Sequence, residues 1–257
     1  MSEFEGERIA KVIARAGICS RREAERLIGE GRVRLNGTVL KSAAVNVTPK
    51  DLVTVNGKPL PQKEETKLWR YHKPAGLVVS NNDPEGRPTI FEKLRQQLPR
   101  VVSIGRLDIN TEGLLLLTND GELARHMELP ATGWIRRYRV RAYGRVDEVG
   151  LAKIAKGVEI EGVKYGPVEA HIEKAQGDNQ WLTIAIREGK NREVKKICEY
   201  LGLKVNRLIR TAFGPFVLDD MARGTIEEVP PKMLKANIGT GFFKESHADR
   251  RRKIQKP

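Results

Sequence analysis

Asp108 is the residue of this chain best placed by its neighbours to do chemistry. It stands in GRLDINTEGLLLLTNDGEL (105–123), between the apolar stretch VVSIGRL (101–107) and a run of four leucines, Leu114 to Leu117. That run is too short for a membrane span. Bounded by Gly113 on one side and by Asn119, Asp120 and Gly121 on the other, it reads as a core strand ending in a turn. A carboxylate between two buried strands has the rigid support that a nucleophile requires. The same spacing also fits an ordinary turn capped by an aspartate side chain, since Ile109, Asn110 and Thr111 follow. Arg106, two residues earlier on the expected strand, would share the face of Asp108 and offer it a positive charge.

The elements that must position this carboxylate form a second, larger domain beginning near Lys67, after the polar linker 61–66. Strands are expected at 68–71, 77–80, 101–105, 113–118, 135–142, 158–160, 168–172, 181–186 and 205–211. Helices are expected at 89–97, 121–127, 146–155 and 192–200. In the last of these, Val194, Ile197, Cys198 and Leu201 keep helical period and Gly202 follows as a stop. The domain, 67–236, is expected to be α+β around a mixed or antiparallel sheet. From Gly241 the chain turns polar and basic, so 241–257 reads as a disordered basic tail able to add RNA affinity.

Residues 7–60 form a unit of their own. Ile9, Val12, Ile13 and Ala16 give one apolar helix face, and Ser20 with Glu23 reads as a capping box for a second helix. Asn36-Gly37 and Asn56-Gly57, each between short apolar runs, signal hairpins. On the polar side stand Arg15, Arg21, Arg22, Arg26, Arg32 and Arg34, partly offset by Glu23, Glu25 and Glu30. This is a candidate phosphate-binding face. The competing readings are a solvated charged face and a helix-turn-helix DNA reader; the hairpin that follows and the lack of amide side chains on the second helix argue against the latter.

Composition narrows the partner. With 47 Lys and Arg against 33 Asp and Glu, the chain of 257 residues carries +14, which points to a polyanion and first to nucleic acid. A membrane surface fits less well because only 5% of residues are aromatic. Cys19 and Cys198 lie far apart and read as buried structural thiols; the four histidines show no ligand spacing, so no metal is expected. No signal-peptide core and no long apolar run stand in the sequence, which suggests a cytoplasmic protein.

The stretch around Asp108 resembles the catalytic signature of the pseudouridine synthases of the RsuA and RluB type, in which GRLD is followed by Thr, Gly, an apolar strand and TNDG. YHKPAG (71–76) is similar to the first motif of that family and reads here as scaffold. WIRRYRV (134–140) resembles the motif whose tyrosine packs in the active site, which falls on Tyr138. EGKNREVKKICEYLGLKVNRLIRTAFGPF (188–216) resembles the third signature, and Lys195 falls where the family places the cation that pairs with the nucleophile. Lysine offers a point charge where arginine would give a bidentate fork. Either Leu208 or Ile209 would line the pocket. ARAGICSRREAERLIGEGRVRLNG (14–37) is similar to the S4 RNA-binding domain.

The resemblance implies isomerisation of uridine to pseudouridine in ribosomal RNA, free or in a pre-ribosomal particle, without a cofactor; a monomer is the default expectation. Asp108 would be the nucleophile, Tyr138 would stack on the base or exchange a proton, Lys195 would be the charge partner and Arg106 its backup. NREVKK (191–196) looks more like members acting on large-subunit than on small-subunit ribosomal RNA. A non-catalytic ribosome-associated RNA-binding protein is the alternative.

Overall fold

Both Asn-Gly pairs in the first unit make the turns that their chemistry calls for. Asn36 and Gly37 have φ of 50° and 87°, Asn56 and Gly57 of 52° and 77°, the two positive angles of a tight hairpin turn. The computed structural model describes residues 6–62, 64–239 and 242–243. Its two units are Met1–Thr66 with Asn119–Gly121, and Lys67–Thr118 with Glu122–Pro257.

In the first unit β1 (Glu7–Arg8) leads into α1 (Ile9–Arg15) and α2 (Arg21–Gly29). The short strands β2 (Val33–Leu35), β3 (Thr38–Val39), β4 (Asn46–Val47), β5 (Val53–Val55) and β6 (Lys58–Pro59) follow. Four of them form a sheet in the order β3-β2-β5-β6, while β1 pairs with β4. Ile9, Ile13, Ala24, Leu27 and Ile28 from the helices pack on Val33, Val47, Val53 and Val55. Only half of the expected capping box forms. Ser20 Oγ accepts from the Glu23 amide at 3.1 Å, but the Glu23 carboxylate turns to the Arg26 side chain at 2.9 Å. A guanidinium one turn along competes better for the carboxylate than a backbone amide does.

The second unit begins with β7 (Leu68–Lys73), α3 (Ile90–Leu94), β8 (Val102–Ile104), β9 (Thr111–Thr118) and α4 (Gly121–Glu128). It continues with β10 (Arg136–Tyr143), α5 (Glu148–Ala152), β11 (Val158–Ile160), β12 (Val163–Tyr165), β13 (Glu169–Gln176) and β14 (Asn179–Ile186). The last elements are α6 (Glu193–Tyr200), β15 (Lys204–Phe213), β16 (Phe216–Val217), β17 (Ile226–Glu228) and α7 (Pro231–Ile238). Among the described residues one mixed sheet has the main order β13-β14-β10-β15-β9-β7-β17, with β16 on β15 and β8 on β9. β9 and β15 run parallel; the other pairs in the sheet are antiparallel.

The leucine run sits at the centre of this sheet, and every residue of β9 is buried. Alternation sends Leu115 and Leu117 into a core shared with α3, α5 and α6, and Leu114 and Leu116 into a core shared with α4 and α7. The middle of a strand covered on both faces favours apolar side chains at successive positions, which explains the unbroken run of leucines.

The structure corrects several expected elements. Residues 77–80 form no strand beyond a single bridge from Val78 to Thr89. The helix expected at 89–97 spans Ile90–Leu94 and carries the full capping box, Thr89 with Glu92. The strand before Asp108 ends at Ile104, where Gly105 takes φ +69°. β12, β16, β17 and α7 were not expected. α7 tolerates Pro231 because the first turn of a helix leaves that amide unbonded in any case. The tail expected at 241–257 lies outside the described residues except for Phe242 and Phe243.

Candidate active site

Asp108 lies in the turn joining β8 to β9, and that turn is held from behind by a lysine. The Lys73 side chain, at the end of β7, is fully buried and its Nζ donates to four carbonyls: Pro74 at 3.0 Å, Asp108 at 3.2 Å, Ile109 at 3.0 Å and Thr111 at 2.9 Å. Two amides add to the clamp, Gly76 N to Ile109 O at 2.8 Å and Thr111 N to Asp108 O at 2.9 Å. An ammonium has three protons to share and no acceptor to satisfy, so it suits a nest of backbone carbonyls. Burial draws the Lys73 amine down to about 8, while the charges of Asp108 and Glu112 oppose the shift.

In front of the turn, Asp108 Oδ2 meets Lys195 Nζ at 2.7 Å. The carboxylate side chain keeps 34% of its exposure and the lysine 15%, so the pair is reachable and yet partly shielded from water. α6 supplies Lys195, and the periodicity of that helix decides where it points. Val194, Ile197 and Cys198 face the core, and Lys195 emerges at its rim. Arg192, at the N-terminus of α6, takes a left-handed φ of 52° that lets the preceding loop turn into the helix. The Cys198 thiol is buried and pushed up to about 12 by that burial, a structural side chain; Cys19 is half-buried in the first unit.

Tyr138 lies on β10 opposite Ile184 of β14 and Arg210 of β15. It belongs to the same core as Leu107, Val194 and Leu208. Leu107 adjoins Asp108 and Val194 adjoins Lys195, so one apolar cluster carries the ion pair and the tyrosine on the α6 side of the sheet. Of the two pocket candidates, Leu208 shares this cluster, whereas Ile209 packs against the core on the other face. Arg136 and Arg210 lie over the Phe213 ring, 4.7 and 5.3 Å from its centroid.

Arg106 is not brought to Asp108 as a second ion-pair partner. It stands past the end of β8, so the period-two argument that placed it beside Asp108 fails. Its side chain is exposed and, among the described residues, makes no ion pair with Asp108. A further charged group was missed. Glu112, buried on β9, accepts from Arg207 at 2.7 and 3.1 Å and pairs with Arg223 at 3.1 Å. Its hydrogen bonds from Arg207 hold its carboxyl below the usual carboxylate range. In the first unit Arg15 pairs with Glu7, Arg21 with Glu25, Arg26 with Glu23 and Glu30, and Arg32 with Glu30 and Asn56. Arg22 and Arg34 are exposed and their side chains have no partner among the described residues.

The family model of RNA pseudouridylate synthases matches residues 67–200, and that of the S4 domain matches residues 7–53. The chain belongs to the RNA pseudouridylate synthase family. A relative from Rickettsia felis, named as an uncharacterised RNA pseudouridine synthase, is 47% identical over 89% of this chain and 99% of its own. The ribosomal large subunit pseudouridine synthase B of Pseudomonas aeruginosa is 42% identical over 89% of this chain and 61% of its own. A crystal structure of a pseudouridylate synthase aligns with a TM-score of 0.63 at 30% identity, covering 91% of this chain and all of that one. The chain is thus an RNA pseudouridine synthase of the RsuA and RluB type with an N-terminal S4 domain. In this synthase the clamp formed by Lys73 was legible only as a motif, YHKPAG. What could have singled out the lysine is its place as the last residue of a buried strand, directly before a proline turn.

Proposed function

We propose that this synthase converts a uridine of ribosomal RNA, in the large subunit, to pseudouridine, with Asp108 as nucleophile. The observation that carries the reading is the 2.7 Å pair of Asp108 with Lys195, set on a turn clamped by Lys73. The lysine holds the carboxylate by an ion pair, and the clamp fixes the turn that carries it. Similarity to large-subunit synthases supports the substrate class.

The extruded uridine enters beside Tyr138, whose ring stacks on the base. Asp108 attacks either the ribose C1′ or the uracil C6, and the N1–C1′ bond breaks. The uracil turns, C5 bonds to C1′, Asp108 leaves, N1 takes a proton and C5 gives one up. No atoms or electrons are gained overall. The Tyr138 hydroxyl serves that proton exchange. The arginine-bearing face of the first unit, with Arg22 and Arg34 unpaired, holds the surrounding RNA. The protein acts as a monomer in the cytoplasm.

The test is pseudouridine mapping of ribosomal RNA from cells lacking the protein, complemented with wild type or Asp108→Asn. One large-subunit site is expected to vanish in the deletion and to return only with wild type. Persistence of every site in the deletion would sink the assignment, and a return with Asp108→Asn would sink the nucleophile.

A further inference from the structure

Among the described residues, the sheet of the second unit has a stretch of face that no helix covers. On the α4 and α7 side, the buried core draws on β7, β8, β9 and β15 and contains no residue of β10, β13 or β14. On that side β10 presents Arg137, Arg139 and Arg141, all exposed, in strict alternation with the buried Arg136, Tyr138, Val140 and Ala142. The face is therefore the reverse of the one that carries Tyr138. Spaced two residues apart on a strand, the three guanidiniums recur every ~6.7 Å, close to the spacing of successive phosphates on an extended nucleic-acid strand.

Its neighbours strengthen the pattern. Arg141 pairs across the sheet with Trp181 of β14 on one side and Arg207 of β15 on the other. The Arg139 guanidinium lies 4.4 Å from the centroid of the Trp181 ring and bonds Glu173 at 2.7 Å, so it is preset. Arg207 is likewise preset by Glu112, which it shares with Arg223. Arg137 and Arg141 have side chains with no partner among the described residues. Acidic groups here are already engaged: Glu173 by Arg139 and Thr183, Glu169 by Arg187 at 3.8 Å.

We propose that this open arginine face of β10, β14 and β15 is a second RNA-binding surface that engages a phosphodiester backbone away from the reacting uridine. A merely solvated strand face needs no particular charge, and lysine or glutamate would serve it equally. Arginine at three of the four outward positions of β10, with Tyr143 at the fourth and a half-buried tryptophan beside them, suits bidentate phosphate contacts and base stacking. An acidic protein would meet the same charge but gains nothing from the phosphate-like spacing. RNA is thereby held on two sides of the sheet, one at the ion pair and one at its back.

The experiment uses the full chain, purified ribosomal RNA and, as an acidic polypeptide, polyglutamate. Ultraviolet cross-linking of the wild-type protein to the RNA is expected to mark Trp181 and the peptides of β10. The Arg137→Ala, Arg141→Ala double variant should flatten the slope of log K against log salt by about 1.4, since each single-strand phosphate contact contributes about 0.7. Isomerisation of a short stem-loop that carries only the target uridine should continue at the wild-type rate, which separates this surface from the proposed chemistry. An unchanged slope, or cross-links confined to the Asp108 side, would overturn the proposal. So would a variant that loses polyglutamate while keeping its full RNA affinity.

Discussion

Two lysines touch Asp108 or its turn, and their environments assign them different work. Lys195 meets the carboxylate itself, at a site open enough that its contribution to stability is screened. Lys195→Met is therefore expected to lower kcat by about 10²-fold while thermal unfolding scarcely moves; Lys195→Arg should restore part of the rate. Single-turnover kinetics beside a melting curve checks both. Lys73 never reaches the carboxylate and instead fills a nest of four carbonyls in a dry place. Lys73→Met leaves those carbonyls without a donor, at a cost of about 2–3 kcal/mol, or roughly 4–10 °C in Tm, and the rate should fall with it because the turn relaxes. Calorimetry that found Lys73→Met as stable as wild type would remove the clamp from the account. The ion pair was legible from a motif. The clamp was not, because hydrogen bonds from one side chain to three carbonyls far along the chain, and to that of its neighbour Pro74, leave no periodicity behind.

The helix that brings Lys195 to the site also carries a proton-linked weakness. Glu193, in the first turn of α6, is buried, accepts from the Lys190 amide at 2.8 Å and leaves its other oxygen without a partner. Burial, with Glu188 beside it, pushes its carboxyl up to about 7. The folded state thus holds this proton more tightly than the unfolded chain, whose carboxyl titrates near 4.3. Its contribution to stability is full below about pH 4 and is lost as pH rises through about 7. Glu193→Gln keeps the acceptor and cannot ionise. It should match wild type near pH 5 and melt at a higher temperature above pH 7, and equal melting temperatures at both pH values would refute the linkage. Helical period placed α6 to within a residue. Strand ends were less legible, because positive-φ glycines such as Gly105 stop a strand that hydrophobicity would extend. Gly113 shows the opposite case. It lies inside β9 at φ +104°, and a Cβ there would come 2.2 Å from the Arg210 carbonyl oxygen, so the glycine admits a neighbouring strand rather than ending its own.

At the scale of the whole chain, a charge of +14 states only that a polyanion is expected, and the fold decides which cations remain to meet it. Six arginines of the first unit were singled out by spacing, yet in the folded unit four of them are met by glutamates of the same unit. Composition could not reveal that division, since pairing depends on which helix faces and loop ends come together. Among the described residues nothing answers the charge of Arg22 and Arg34, and they are the two on which affinity should depend. The Arg22→Ala, Arg34→Ala double variant is expected to bind ribosomal RNA more weakly at every sequence tested. The slope of its salt dependence should flatten by about 1.4–1.8, the value for two lost phosphate contacts. Turnover at saturating RNA should be unchanged, because neither residue belongs to the unit that bears Asp108. Arg21→Ala, which also frees Glu25, exchanges one ion pair for an unpaired acid and should reduce affinity through repulsion, with a smaller change in slope. Filter binding across a salt series separates the two behaviours. If the paired arginine proved as costly to the slope as the unpaired ones, its contact with Glu25 would have to open when RNA binds.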